Sequence, residues 1–337
     1  MRRDVLSHSL MFGWSVVAWL AACDSAPLDV IERRAEVPGG SSSGGGGAST
    51  GATGGSPLSA GAGGASGASV APEPPSFGAP ELIANVAHPG ADDDPALTAD
   101  LLELYFSSDR EGRENIFVAR RATPNEPFGQ PVAVDEINSE FVDATPGLTP
   151  DGLTLYFEST RRSQTTDLQA TDIWRATRAS RASAWSEPVL VEELSSDERE
   201  SMPQPSSPLL MTFSAVRPMG VGDTDIYVTL RAAVDAPWGL PGLLFEVSSA
   251  SWDQGLLRAD GTQIFISSGR DQGRARGGEL YWSARPSFGA AFLPPVALTD
   301  LNTEADEQDL WVSESLDYAV FASDRDGNLD LYEARRR

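Results

Sequence analysis

The chain contains no lysine: all 25 of its basic residues are arginine, set against 49 Asp and Glu. Its one cysteine, Cys23, excludes an intramolecular disulfide and any multi-cysteine metal site. Histidine is almost as scarce. With His8 in the N-terminal stretch, only His88 is left for a Ser-His-Asp triad or a histidine-based zinc site, and its loop holds no partner motif. Beyond residue 77 there is no helical periodicity, which leaves an all-β architecture. The deficit of base over acid argues against nucleic acid and against adsorption to anionic lipid heads. With residues 1–22 removed, 23 Arg face 48 Asp and Glu, a net charge of −25. A surface of that kind fits a soluble, self-repelling domain, with room for a cationic or metal-bridged partner.

What the chain does have is a degenerate block that returns five times. Its landmark is an aromatic residue, a small residue, any residue, then proline. Copies begin at Phe77, Phe128, Trp185 and Trp238, and a weaker fifth begins at Phe288 and reaches its proline at Pro294. The spacings of 51, 57, 53 and 50 residues make this a repeat, and periods of that size mark solenoids, propellers or arrays.

Each block also carries an apolar run that ends in a small residue and an arginine: Arg110, Arg161, Arg217, Arg270 and Arg325. A second apolar run follows, as in Asn115-Ile116-Phe117 and Asp172-Ile173-Trp174. The residues between are rich in Gly, Asp, Arg and Thr, which reads as a hairpin loop between strands of high β-propensity. An acidic cluster leads into a further strand, and the aromatic-Pro landmark leads into a last one. Four antiparallel strands about every 50 residues predict a β-propeller blade. The final block stops after its third strand, while residues 77–84 stand unpaired at the front. That segment should complete the last blade and close a five-bladed ring, removing its free edges.

The best copy, Leu148-Thr149-Pro150-Asp151-Gly152-Leu153-Thr154-Leu155-Tyr156-Phe157, resembles the WD40-like PD40 repeat of TolB-like envelope proteins. The resemblance covers 77–337 and implies an exported, non-catalytic binding propeller. It does not extend to the separate N-terminal domain and six blades usual in that group. Upstream, residues 1–22 read as a secretory signal, and Leu20-Ala21-Ala22-Cys23 resembles the bacterial lipoprotein box. That resemblance implies lipidation of Cys23 and anchorage to a membrane, facing the periplasm or the cell surface. Residues 23–76, dominated by Gly, Ser, Ala, Thr and Pro, predict a disordered tether with a reach of roughly 40 Å.

Function is less legible. The expected face for binding a protein or envelope polymer is the end of the ring that carries the loop arginines and the acids before each inner strand: Asp94, Asp143, Glu200, Asp253 and Glu307. The alternative for these charges is that each arginine pairs with an acid to staple blades together. A ligand site should break five-fold regularity, which favours the rim near Arg161 and Arg217, beside the long loops 162–171 and 218–224. No cofactor is implied, and a monomeric propeller is expected. Asp324, Asp326, Asn328 and Asp330 form a miniature of a calcium loop, without the sixth-position glycine and twelfth-position acid of an EF-hand, so an ordinary hairpin turn is the stronger reading. A carboxylate-based glycosidase is the enzymatic alternative, since some five-bladed propellers act on glycosides.

Overall fold

The computed structural model describes residues 72–163, 171–270 and 277–337. The signal-like leader, Cys23 and most of the tether lie outside the described residues, as does most of the long loop 162–171. Residues Pro74–Arg337 form one unit of five four-stranded antiparallel sheets. Blade one is β2 (Asp92–Leu97), β3 (Glu103–Ser108), β4 (Asn115–Arg120) and β5 (Val132–Ala133), hydrogen-bonded in chain order. Blades two, three and four repeat this over 143–190, 200–243 and 253–297.

The closing blade is the exception in connectivity. Its inner three strands are β18 (Glu307–Val312), β19 (Tyr318–Ser323) and β20 (Asp330–Arg335), and its outer strand is β1 (Glu81–Leu82). Glu81 lies opposite Glu333 and Leu82 opposite Tyr332, with a further bridge from Phe77 to Arg336. Phe77 is fully buried in the core between blades four and five. The chain's front thus seals its back, as the truncated final repeat requires.

Apolar side chains gather into five clusters, each between two adjacent blades. Between blades one and two, for example, Tyr105, Ile116 and Val118 meet Leu148, Leu155, Phe157 and Trp185. A lone blade would expose both of its faces, so burial is complete only when the ring is closed.

The structure corrects one landmark. In the fourth blade the buried aromatic is Phe292, 6% exposed, whereas Phe288 is 37% exposed. The N–H that follows it, Leu293 to the Ala284 carbonyl, matches those of Gly129 to Arg120 and Gly239 to Leu230. Phe292-Leu293-Pro294-Pro295 is therefore the true copy, and the Phe288 ring packs over Gly261 in the preceding turn.

The inner strands of blades one, two, three and five each carry a bulge near their start. At its centre sit Asp94, Thr145, Met202 and Asp309, with φ between 50° and 57°. This left-handed backbone is uncommon outside glycine, and most costly for a β-branched residue such as Thr145. What it achieves is a link between blades: the Thr145 N–H reaches Ser107 Oγ at 2.9 Å, and the Met202 N–H reaches Thr145 Oγ1 at 3.3 Å.

Candidate functional site

Two charged layers lie at the end of the ring where the arginine loops and the inter-blade connections emerge. The outer layer is a rim of five clamps. In blade one, Arg110 Nη2 donates to Asp92 at 2.6 Å and to the Val86 carbonyl at 3.0 Å, while its Nε donates to Ser108 Oγ at 2.8 Å. Its guanidinium lies 5.1 and 4.9 Å from the ring centres of Phe106 and Phe117. Val86 belongs to the connection arriving from the closing blade. One side chain therefore fixes an incoming loop to the blade's own inner strand.

The same arrangement recurs as Arg161 with Asp143, Arg217 with Glu200, Arg270 with Asp253 and Arg325 with Glu307, all at 3.1 Å or less. These four arginines bind the carbonyls of Ile137, Leu194, Val247 and Leu301. The five acids are 0% exposed and the arginines 15–21%. Fork, hydrogen bonds and ring stacking together need a planar guanidinium, which an ammonium cannot replace. Arg161 and Arg217 are thus already engaged by the fold. Asp94 is not a clamp acid: the strand begins two residues earlier, so Asp92 fills that place and Asp94 lies buried at the centre of the bulge.

Sequence reasoning passed over a second arginine row at the opposite end of the blades. Arg121, Arg178, Arg231 and Arg285 follow the third strands, and each Nε donates to the carbonyl of Leu101, Gly152, Pro208 or Gly261 at 2.6–2.7 Å. Their guanidinium centres lie 4.1–4.4 Å from the rings of Phe128, Trp185, Trp238 and Phe292. The aromatic of the repeat landmark is thus the platform for a repeated arginine. The signal was present as an Arg one residue past each third strand.

Inside the upper rim the charges no longer balance. Asp93, Asp94 and Glu114 bring one carboxylate oxygen each within 4.8 Å of one another. Asp94 is buried, and Asp93 and Glu114 are half-buried. Burial, then the charges of Asp94, Glu114, Asp309 and Asp92, pushes the Asp93 carboxyl well above its ordinary value. Burial lifts Asp94 to about 6, against hydrogen bonding from Ser107 and the charge of Arg199. Glu114 rises to about 7 through burial and the Asp94 charge.

Glu158 and Asp309 complete the pool. Glu158 is 2% exposed, and burial raises it to about 8 despite Arg199, with Asp94 and Glu114 adding to the rise. Asp309 is also pushed up, by burial first and then by Asp94. The nearby cation is Arg199, whose Nη2 stands 3.7 Å from Glu158 Oε1. Two departures from the repeat announce this pool. Asp93 stands where the other blades have Ala144, Ser201, Gln254 and Gln308, and Glu158 where they have Ser107, Ser214, Ser267 and Ala322. Repeat-breaking acids on buried strand positions are the readable signal.

The miniature calcium loop is a turn. Gly327 has φ 107°, its N–H closes on the Asp324 carbonyl at 2.9 Å, and Asp326 accepts from the Tyr332 hydroxyl at 2.7 Å. Among the described residues, Asp324, Asp326 and Asp330 do not converge within reach of one ion. His88 occupies the position held by Ser139, Ser196, Ser249 and Thr303 in the other blades, and its Nδ1 accepts from the Gly90 N–H at 2.9 Å.

No known family profile matches the chain, and no curated protein sequence is recognisably similar to it. Among solved structures it is similar to an α-L-arabinofuranosidase of Podospora anserina, at 10% identity over 78% of this chain and 97% of that one, with a TM-score of 0.52. A family 117 glycoside hydrolase of Zobellia galactanivorans matches at 10% identity over 77% and 90% of the two chains, also at 0.52. TolB of Acinetobacter baumannii matches at 15% identity, over 75% of this chain and 56% of that one, at 0.42. The first two likenesses speak for the propeller fold and leave activity open.

Proposed function

We propose that this chain is an exported, lipid-anchored binding module, held to a membrane through Cys23 on the segment 23–76 and docking a cationic or metal-bridged partner at the channel mouth without turnover. The observation that carries the docking reading is the crowding of buried carboxyls there with too few cations beside them. Asp94, Glu114 and Glu158 share Arg199 as their nearby cation and Asp93 and Asp309 crowd against Asp94, while each rim acid has its own arginine. The anchoring part rests on the residues before Cys23 and on their resemblance to the lipoprotein box.

The test is affinity capture from solubilised envelope with the full chain and with Asp93→Asn/Glu114→Gln. Selective loss of one captured species in the variant is expected. Equal capture by both chains, with both folded, would move the docking face elsewhere. Cys23→Ser should shift the protein out of the membrane fraction, and unchanged partitioning would overturn the anchor.

The carboxyls raised to about 7 at Glu114 and about 8 at Glu158 keep a glycosidase as the second reading, since a raised acid beside an ionised partner is what glycoside hydrolysis uses. Against it, Glu158 is 2% and Asp94 7% exposed, too closed for a sugar ring to reach. Turnover of an arabinan or fructan, lost in Glu114→Gln, would reverse this preference.

A further inference from the structure

We infer that the channel mouth is a divalent-cation site of calcium type, with Asp93, Asp94 and Glu114 each giving one carboxylate oxygen. The three oxygens lie within 4.8 Å of one another. Calcium takes oxygen ligands at about 2.3–2.6 Å, so oxygens on opposite sides of one ion stand about 4.6–5.2 Å apart. Three carboxylate oxygens so spaced can reach one ion of that size. Neighbouring residues of a strand ordinarily face opposite ways. Here the left-handed turn at Asp94, φ 52°, breaks the alternation and lets Asp93 and Asp94 serve one point.

A second observation points to a ligand. Glu158 Oε2 is buried and has no hydrogen-bond partner. Its side chain occupies the position from which Ser107 and Ser267 reach across to the bulged strand of a neighbouring blade. A buried polar atom left unpaired costs about 1–3 kcal/mol. A cation held by Asp94 and Glu114, the acids that act on Glu158, would answer its oxygen.

The donor set is carboxylate with no histidine or thiol, which suits calcium, magnesium or manganese rather than zinc or copper. Magnesium, at about 2.0–2.1 Å, would need the triad to contract. The site also breaks the five-fold repeat, since the counterparts of Glu114 are Thr171, Thr224, Gly278 and Leu329. Because Asp93 and Glu114 keep partial exposure, positions on the ion stay open to oxygen ligands from a partner.

The inference deepens the docking reading, but the metal titration needs no partner, so the two fail separately. Metal-stripped full-length chain is titrated with CaCl2 by calorimetry, and its melting is followed alongside. One saturable site is expected, with a Kd on the order of 0.1 mM or tighter, and a rise in the melting midpoint. Asp93→Asn/Glu114→Gln should weaken binding at least tenfold while melting cooperatively, because it removes like charges. Asp324→Asn should bind as the parent does. Absence of a stoichiometric site, an equal rise in NaCl of matched ionic strength, or undiminished binding in the double variant would each overturn the site.

Discussion

The rim and the channel mouth are built from the same residue types a few residues apart, yet their charges are arranged in opposite ways. At the rim each carboxylate meets its own guanidinium, and most remaining polar atoms are satisfied, as where Ser139 donates to Asp143 from its N–H and its hydroxyl. At the mouth, acids are packed together with Arg199 as the nearby cation for three of them, and Glu158 Oε2 is left unpartnered. Paired charges repeated in every blade hold the ring. Acids crowded together once, without such pairing, are costly to the fold, and the proposed ligand would dock there.

The largest effect expected from probing this contrast is at a clamp. Arg161→Ala strands the buried Asp143 and removes stacking on Phe157 and Trp174, and should destabilise the protein by about 3–5 kcal/mol in urea denaturation. Arg161→Lys should recover only part of that loss. A change under 1 kcal/mol for the alanine variant would mean that the rim is ornamental. In the lower row, Arg178→Lys keeps the charge near Glu103 but loses the Nε bond to Gly152 and the flat stack on Trp185. A loss of about 1–3 kcal/mol is expected by the same measurement.

The mouth predicts a pH dependence of definite sign. Asp94, Glu114 and Glu158 hold their protons to about 6, 7 and 8 in the fold, against about 4 for such groups in an unfolded chain. The folded state therefore binds more protons between these limits. Melting midpoints in chelator-treated buffer should fall as pH rises from 5 to 8, with the full penalty reached above 8. The groups involved are packed against Asp93, Asp309 and Arg199, so the slope belongs to the cluster. A midpoint that climbs over this range would contradict the assignment.

The smallest effect concerns the one incomplete clamp. The second strands end in Ser108, Ser159, Ser268 and Ser323, but blade three has Ala215, and Arg217 Nε there is buried without a partner. Ala215→Ser should supply the missing acceptor and add about 0.5–1.5 kcal/mol. If the variant is no more stable than the parent, the Nε is satisfied by other means.

Blade number, strand order and the closing role of residues 77–84 were legible because each repeats a pattern or completes a truncated one. The fourth blade's landmark was misread because Phe288-Gly289 imitates it four residues early, and only burial separates Phe288 from Phe292. The clamp arginines were legible as a row, though not the identity of the acid in blade one, where Asp92, Asp93 and Asp94 stand together. The mouth was not legible as a unit. Its members come from positions 93–94, 114, 158, 199 and 309, and only ring closure and the bulges bring them together.

The central claim is that the two charged layers contribute to stability with opposite sign, and one paired measurement reads this directly. Asp143→Asn at the rim and Glu158→Gln at the mouth each replace a single buried carboxyl of blade two by its amide. In urea denaturation of the metal-free full-length chain at pH 8, the first should lower the midpoint, because it leaves Arg161 without its counter-charge. The second should raise it, because it relieves a carboxylate held among Asp94 and Glu114. Midpoints that move in the same direction for both variants would contradict the account.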